Sequence, residues 1–596
     1  MTYRPPVRDM AFALNEVAGL SALAGRGPFA DLSPELVEAV MEEGAKLAAE
    51  VLAPLNRSGD AEGAKLEKSG ATVPSGFAAA YRQWVAGGWG SLAATPDYGG
   101  QGLPVSLAVA MQEMWNAACM SFGLCPILSQ GAIEALTAHG TEEQKRLYLA
   151  KLVSGEWTGT MNLTEPQAGS DLNALKTKAV PQGDGTYRIT GTKIFITYGD
   201  HDMTDNIVHL VLARLPDAPP GTRGISLFLV PKFLVNSDGS LGARNDAHCI
   251  GLEEKLGIHG SPTCVMSFGE TTGALGTLIG EENRGLACMF TMMNNARLLV
   301  GTQGVAIAEA AYQHALAYAK ERKQGRPLGS TLAPGDMAPI VEHPDIRRML
   351  LTMKASTEAA RAICYATGVA IDTAHAGETA EIRAAAQARA DLLTPIAKSF
   401  STDIGCEVAS LGVQIHGGMG FIEETGAAQF LRDARILPIY EGTNGIQAID
   451  LVSRKLPLGN GSVAQGFIAE MRMTAKTARQ SNRKTLAAIG AALDAALDTL
   501  DKATAYMLAQ LKAAPNDCLA GATPYLRLFG TVAGGHYLAQ GALKTAEEDG
   551  QGGFAATRLA LADFYALNIL PGVHGLLGPA TAGAETLYAL TADEFS

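Results

Sequence analysis

The chain has 596 residues, 47% of them hydrophobic, and 47 Lys and Arg against 60 Asp and Glu leave a formal net charge of −13. That length calls for several domains with ample core, and an acidic balance whose densest basic run is the short Lys320 to Arg326 argues against a nucleic-acid surface. No apolar run approaches the ~18 residues of a membrane span. The first residues carry Asp9 early and no long apolar stretch, so no signal peptide is expected. Eight scattered cysteines without a CxxC pair fit reduced thiols, a cytoplasmic location and no metal site.

In chain order, the first predicted helix opens at Ser33-Pro34-Glu35, with Ser as N-cap, Pro at the first helical position and an acid in the first turn. Leu36, Val37, Val40, Met41, Leu47, Ala48 and Val51 follow at helical spacing. A glycine-rich loop around Asp97 to Pro104 interrupts the helical pattern, which resumes from about Val105 to Leu152. Near residue 156 the texture turns to short β-branched and aromatic runs: Tyr187 to Thr190, Lys193 to Thr197, Asn206 to Leu215 and Gly224 to Val235, with a Gly183-Asp184-Gly185 turn. These predict a small β domain. Long helical segments then run from Ala287 to Arg322, Pro344 to Ala374 and Ala380 to Val413, as in a bundle. Beyond the Gly- and Pro-rich 456–461, a tail repeats apolar residues from Leu486 to Leu511 on one face, with Asp494, Asp498 and Asp501 on its polar side. Two further helical stretches lie near Tyr525 to Leu538 and Ala556 to Leu570. The division expected is 1–155 helical, 156–285 β, 286–459 helical and 460–596 a helical extension.

The common nucleotide and hydrolase signatures are missing; Gly459 to Ala464 loosely fits a dinucleotide fingerprint but sits in a linker. Glu441, in Ile439-Tyr440-Glu441-Gly442-Thr443-Asn444, lies between two helical stretches, where semi-burial can raise a carboxylate pKa to a value useful for a base. An interhelical Glu on its own is more often a cap or a surface acid. Thr164-Glu165-Pro166-Gln167-Ala168-Gly169-Ser170-Asp171 enters the β domain with small and hydroxyl residues that let backbone N–H groups approach an anion or a flat ring, although a plain Gly-Ser turn has the same composition. Phe195-Ile196-Thr197 ends a strand, and Gln414 to Gly420 ends a helix where a glycine C-cap is the simple reading.

Together and in this order, Thr-Glu-Pro-x-Ala-Gly-Ser-Asp, Phe-Ile-Thr, Glu-Arg-Lys at 321–323, Gln-x-x-Gly-Gly at 414–418 and Tyr-Glu-Gly-Thr resemble the acyl-CoA dehydrogenase family over about residues 35–455. The resemblance implies an α+β fold: an N-terminal helical domain, a middle β domain and a C-terminal helical bundle, here with a helical C-terminal extension. It implies FAD-dependent conversion of an acyl-CoA thioester to the trans-2-enoyl-CoA, with Glu441 as the catalytic base. Its N–H and a flavin ribityl hydroxyl would polarise the thioester carbonyl. Carried over by position, Met161, Leu163, Thr164, Gly169, Ser170, Phe195 and Thr197 line the flavin. Arg322, Gln324, Gln414, Gly417 and Gly418 reach the FAD of a neighbouring subunit, and Thr443 and Gly445 contact FAD beyond the base. Ser170, Asn294 and Arg297 lie near the acyl-CoA. The chain departs from the family pattern where Phe195 replaces Trp, Asn294 replaces the Asp of an Asp-x-x-Arg motif and Gly325 replaces a Phe. Within the family, Glu254 to Cys264, Leu286 to Asn294, the length and the tail resemble the 3-methylmercaptopropionyl-CoA dehydrogenase branch. The resemblance further implies a homodimer and an electron-transferring flavoprotein as acceptor, with no nucleic-acid partner. The alternatives are a dehydrogenase of medium- or long-chain fatty acyl-CoA, a flavin oxidase on the same fold, and a DNA-associated relative.

Overall fold

The structure, a computed structural model, describes residues 3–333, 335–547 and 553–596. The first long helix, α1 (Pro34–Leu47), begins as its sequence predicts: the Ser33 hydroxyl accepts from the Leu36 N–H at 3.2 Å with Pro34 at the first position. Val37 and Met41 point into the core, while Leu36 faces out. A short antiparallel hairpin, Lys65–Glu67 with Gly70–Thr72, interrupts the helices where the sequence offered no strand pattern. Two buried helices follow, α2 (Val105–Ala118) and α3 (Met120–His139).

Eight strands form the main sheet of the middle region, beside a small hairpin of Phe233–Val235 with Leu241–Arg244: β1 (Thr158–Asn162), β2 (Lys178–Pro181), β3 (Thr186–Thr197), β4 (Ile207–Arg214), β5 (Ile225–Pro231), β6 (Ala247–Leu252), β7 (Thr263–Phe268) and β8 (Ala274–Ile279). They pair in the order β6-β7-β3-β8-β5-β4-β1. β2 joins β3 antiparallel and touches β4 at Lys178 opposite Arg214, so β3, β8, β5, β4 and β2 close into a ring. Ile189, Ala213, Phe228, Val230 and Ala274 belong to its apolar core, and closure leaves fewer open strand edges. The long strand β3 serves both the ring and the β6-β7 flap. Between Cys264 opposite Ile196 and Met266 opposite Lys193, β3 carries one extra residue. This bulge puts Phe195 in the left-handed region, φ 59°, and turns its ring to the outside.

The bundle consists of α4 (Gly285–Glu321), α5 (Pro344–Ala376) and α6 (Ala380–His416). α4 and α6 approach backbone to backbone. A Cβ at Gly301 would meet the Ala397 carbonyl oxygen at 2.6 Å, and one at Gly304 the Ser401 oxygen at 2.3 Å. Lys398 of α6 lies within this contact, its Cα 3.2 Å from a Cβ at Gly301, and Arg297 lies one turn before Gly301 on α4. After α7 (Ala427–Ala434), a compact turn leads to α8 (Asn444–Asp450).

The extension folds as α9 (Ser462–Arg479), α10 (Lys484–Ala513), α11 (Ala522–Glu547), α12 (Gly553–Asn568) and α13 (Val573–Thr581). It lies on the bundle: Gly530 and Gly534 of α11 abut Phe400 of α6 and Ala359 of α5, and Phe467 stacks on Phe529 beneath the Arg389 guanidinium. Asp494, Asp498 and Asp501, on the polar side of α10, are gathered by Arg472, with Arg479 also on Asp494. Among the described residues, Gly553–Thr581 alone meets the length and composition of a membrane-spanning helix. It is broken at Leu570–Gly572 and buries Leu561, Tyr565 and Val573 within the protein.

One ion cluster ties these parts together. Arg361 of α5, fully buried, meets Glu113 of α2 at 2.7 Å, Glu309 of α4 at 2.9 Å and Glu358 at 2.9 Å. Lys354 binds Asp9 at 3.0 Å and Glu358 at 2.8 Å, while Arg558 of α12 reaches Asp9 at 3.2 Å and Glu358 at 3.1 Å. Burial opposes the Arg361 charge, but the three carboxylates outweigh it and hold its pKa well above the usual value.

Candidate active site

Glu441 sits in the turn between α7 and α8 with φ 54°, and Gly442 follows at φ 83°. Two successive left-handed residues reverse the chain sharply, and the second suits only glycine at low cost. The turn is fastened on every side. Leu437 is buried, the Asn444 N–H donates to the Pro438 oxygen at 3.0 Å, and Gln447 Nε2 donates to the Glu441 and Gly442 carbonyls at 3.3 and 3.2 Å. The Tyr440 hydroxyl donates to Gln303, whose amide in turn donates to Asn116 at 2.9 Å. The strained conformation is thus held by its surroundings. Among the described residues no donor reaches the Glu441 carboxylate and no acceptor takes its backbone N–H. Burial raises the pKa of Glu441, against the pull of Arg297 and Lys398.

Those two cations differ. Arg297 is buried and pairs with Asp450 at 3.2 Å. Lys398 has no exposed surface and donates to Asn444 Oδ1 at 2.9 Å. Asn444 also donates to Asp403 at 2.7 Å, so its side chain is committed inward to α6. Lys398 went unnoticed in the sequence, yet a signal exists. Thr394, Lys398, Ser401 and Thr402 all fall on the buried side of α6, polar residues where a bundle helix should be apolar.

The flavin-lining residues proposed from sequence gather at the open end of β1 and β3. The Thr160 hydroxyl donates to the Thr197 oxygen at 2.7 Å, and the Ile194 N–H to the Thr164 oxygen at 2.9 Å, so 161–164 and 195–197 lie side by side. Met161 is buried, Leu163, Thr164 and Thr197 are half-buried, and Gly169 and Ser170 are exposed. Phe195 is 58% exposed, an unpaired aromatic ring at a strand end. A latch missed in the sequence shapes this loop. Glu165 is buried and accepts from Lys193 at 2.8 Å, the Thr177 hydroxyl at 2.6 Å, and the N–H groups of Lys176 and Thr177 at 2.7 and 3.0 Å. Burial works against its charge, but Lys193 and these donors hold its pKa down to about 2.

Arg322, Gln324, Gln414, Gly417 and Gly418 are all exposed. Arg322 to Gln324 form a strand-like edge against 338–340, and Gly325 has φ 59°, a conformation in which the expected Phe would be strained. The Gly417-Gly418 turn follows a stack of Tyr318, His416 and His314, with ring centroids 4.4 and 4.8 Å apart. A Cβ at Gly418 would meet nothing in this chain. Thr443 caps α8, accepting from the Ile446 N–H at 3.3 Å, and Gly445 is exposed. Asn294 lines a different space, a cavity of about 860 Å³ shared with Thr291, Gln130, Glu134, His375 and Asp391.

Family models cover nearly the whole chain: acyl-CoA dehydrogenase N-terminal domain at 35–156, middle domain at 160–271, C-terminal domain at 283–456 and acetyl-CoA dehydrogenase C-terminal like at 467–591. The chain belongs to the acyl-CoA dehydrogenase family. It is 49% identical over 96% of both chains to the 3-methylmercaptopropionyl-CoA dehydrogenase of Ruegeria pomeroyi. It is 34% identical, again over 96% of both chains, to a broad-specificity linear acyl-CoA dehydrogenase of Mycobacterium tuberculosis. Its fold matches Caenorhabditis elegans ACDH-11 in complex with C11-CoA, with TM-score 0.77, 20% identity and coverage of 95% of this chain and 91% of that one. It also matches a Bacillus anthracis acyl-CoA dehydrogenase complexed with FAD, with TM-score 0.73, 22% identity and coverage of 95% and 90%. The protein is therefore an α+β acyl-CoA dehydrogenase, an oxidoreductase, with a C-terminal extension domain.

Proposed function

We propose that this dehydrogenase removes the α-proton of an acyl-CoA with Glu441 and yields the trans-2-enoyl-CoA. The observation that carries the reading is the Glu441 turn, a base with raised pKa, no internal donor on its carboxylate and a free N–H beside it. A thioester α-proton is weakly acidic, so its removal needs both a positioned base and stabilisation of the developing negative charge on the carbonyl oxygen. The Glu441 carboxylate takes the proton, and its own N–H donates to the thioester oxygen.

FAD, when bound, supplies the acceptor for the β-hydride. The exposed Phe195 ring fits a flat cofactor, an apolar surface otherwise wasted on water. Met161, Leu163, Thr164, Gly169, Ser170 and Thr197 surround it, with Thr443 and Gly445 beyond the base. Arg322, Gln324, Gln414, Gly417 and Gly418 serve the FAD of the second subunit of a homodimer. Ser170 and Arg297 act on the CoA side, Arg297 from beside the base, whereas Asn294, which lines the separate cavity, is set apart from them. The substrate is 3-methylmercaptopropionyl-CoA, which the 49% identity over almost the full length supports. Linear acyl-CoA is the second reading, favoured by the full-length likeness to the broad-specificity relative. An electron-transferring flavoprotein takes the electrons, and the eight free cysteines fit a cytoplasmic enzyme. The division at residues 155, 285 and 459 belongs to the same reading.

The test is anaerobic flavin reduction by a panel of acyl-CoAs, with Glu441→Gln beside the parent. The variant should keep its flavin while reduction slows by at least ~100-fold. Near-parental reduction in Glu441→Gln would remove the base assignment, and preference for another acyl group would replace the substrate.

A further inference from the structure

Lys398 stands apart from the other buried cations of this chain. Lys193 and Lys354 each touch a carboxylate within 3.0 Å, and Arg297 has Asp450 at 3.2 Å. Among the described residues Lys398 has no carboxylate at ion-pair distance, and its one acceptor is the neutral Asn444 amide at 2.9 Å. A buried ammonium without a counter-ion is costly, and a methionine would fill the same volume without that cost. The charged and titratable groups that act on the ammonium are Glu441 in the turn, Asp403 and Cys406 on its own helix and Arg297 on α4, and its contact to the turn is the bond to Asn444. Glu441 in turn faces Arg297 and Lys398. Asp450 is shared by Arg297 and by Arg454, so it offsets Arg297 only in part, and Lys398 adds a second positive charge beside the turn with no carboxylate of its own at ion-pair distance. Asn444, three residues past Glu441, also joins Lys398 physically to the turn.

We propose that Lys398 is a positioning residue for Glu441, acting beside Arg297 through its buried charge and through its hold on Asn444 in the same turn. The proposal rests on Glu441 being the base. A nearby cation favours the carboxylate form, so its removal moves the Glu441 pKa further up. Burial brings the Lys398 ammonium down to about 7, although Glu441 and Asp403 pull it up. Its charge is therefore present below that pH and lost above it. Parent and Lys398→Met should differ on the acid side and converge on the alkaline side.

The test uses the FAD-loaded enzyme and two readouts. Infrared difference titration, parent minus Glu441→Gln, follows the Glu441 carboxylate directly. In the Lys398→Met background its midpoint should rise by about one pH unit or more, and Lys398→Arg should keep it near the parent. Flavin reduction by acyl-CoA in Lys398→Met should fall about tenfold at the acid end of the profile and stay within about threefold at the alkaline end. An unmoved carboxylate midpoint in Lys398→Met overturns the proposal. So does an equal loss of rate at every pH that Lys398→Arg fails to rescue. If the parent enzyme reduces its flavin with no acyl-CoA, the reaction assigned above fails, and the infrared midpoint still decides the role of Lys398.

Discussion

At the residue scale, two of the non-glycine residues in left-handed backbone, Phe195 and Glu441, are residues of the proposed site. Each such conformation costs about 1–3 kcal/mol and persists because its surroundings fix it. Phe195 gains little packing in return, since its ring is more than half exposed. Phe195→Gly should therefore leave the thermal stability of the flavin-free protein unchanged or raised, while FAD is lost more readily on dilution. Equal FAD retention in the variant would show that the ring is no wall for the flavin. The Glu441 turn was legible in the sequence as a candidate site through the order of the motifs around it. The backbone conformation was not, because φ at 195 and 441 follows from a bulge beside Ile196, which pairs with Cys264 68 residues away, and from contacts with α4 and α6. Lys398 was hidden for a related reason: it lies 43 residues before Glu441, and only the packing of the turn on α6, through Asn444, brings the two segments together.

At the element scale, the loop 164–171 owes its shape to Glu165, which closes it onto β3 through Lys193. Glu165→Gln should leave Lys193 as a buried charge without a counter-charge, at a cost of about 3–5 kcal/mol, and hydrogen exchange in 164–171 should quicken. The parent should show a matching acid dependence. A carboxyl whose folded pKa is depressed contributes its full stability above the unfolded value near 4.5, and that contribution is lost as pH falls towards about 2. A Glu165→Gln variant whose melting temperature keeps the parental fall over that window would mean that another group causes it. Long helices were legible from periodicity alone: α4, α5 and α6 begin within two residues of expectation and end within three. The hairpin at 65–72 was not, because its strands are three residues each and too short to show alternation. The helix α9 was missed too, behind the Gly- and Pro-rich 456–461.

At the scale of the whole molecule, the extension covers α5 and α6 within the same chain. A chain ending at residue 459 should expose Phe400 and Ala359, bind a hydrophobic dye and melt at lower temperature; a soluble, dye-silent product would refute the covering role. Arg558→Met, a smaller change, should cost about 3–5 kcal/mol, because Glu358 and Asp9 lose a buried partner. The same cluster bears on how the protein is made. Its members come from the opening segment, from three internal helices and from α12, so the last cation is synthesised some 550 residues after the first carboxylate. A nascent chain emerging from the ribosome therefore holds Asp9 without Arg558 for most of its synthesis, and Glu358 without it over the 200 residues that separate them. Pulse-labelled chains arrested before residue 558 should remain open to protease at α5, and release of the final segment should close them.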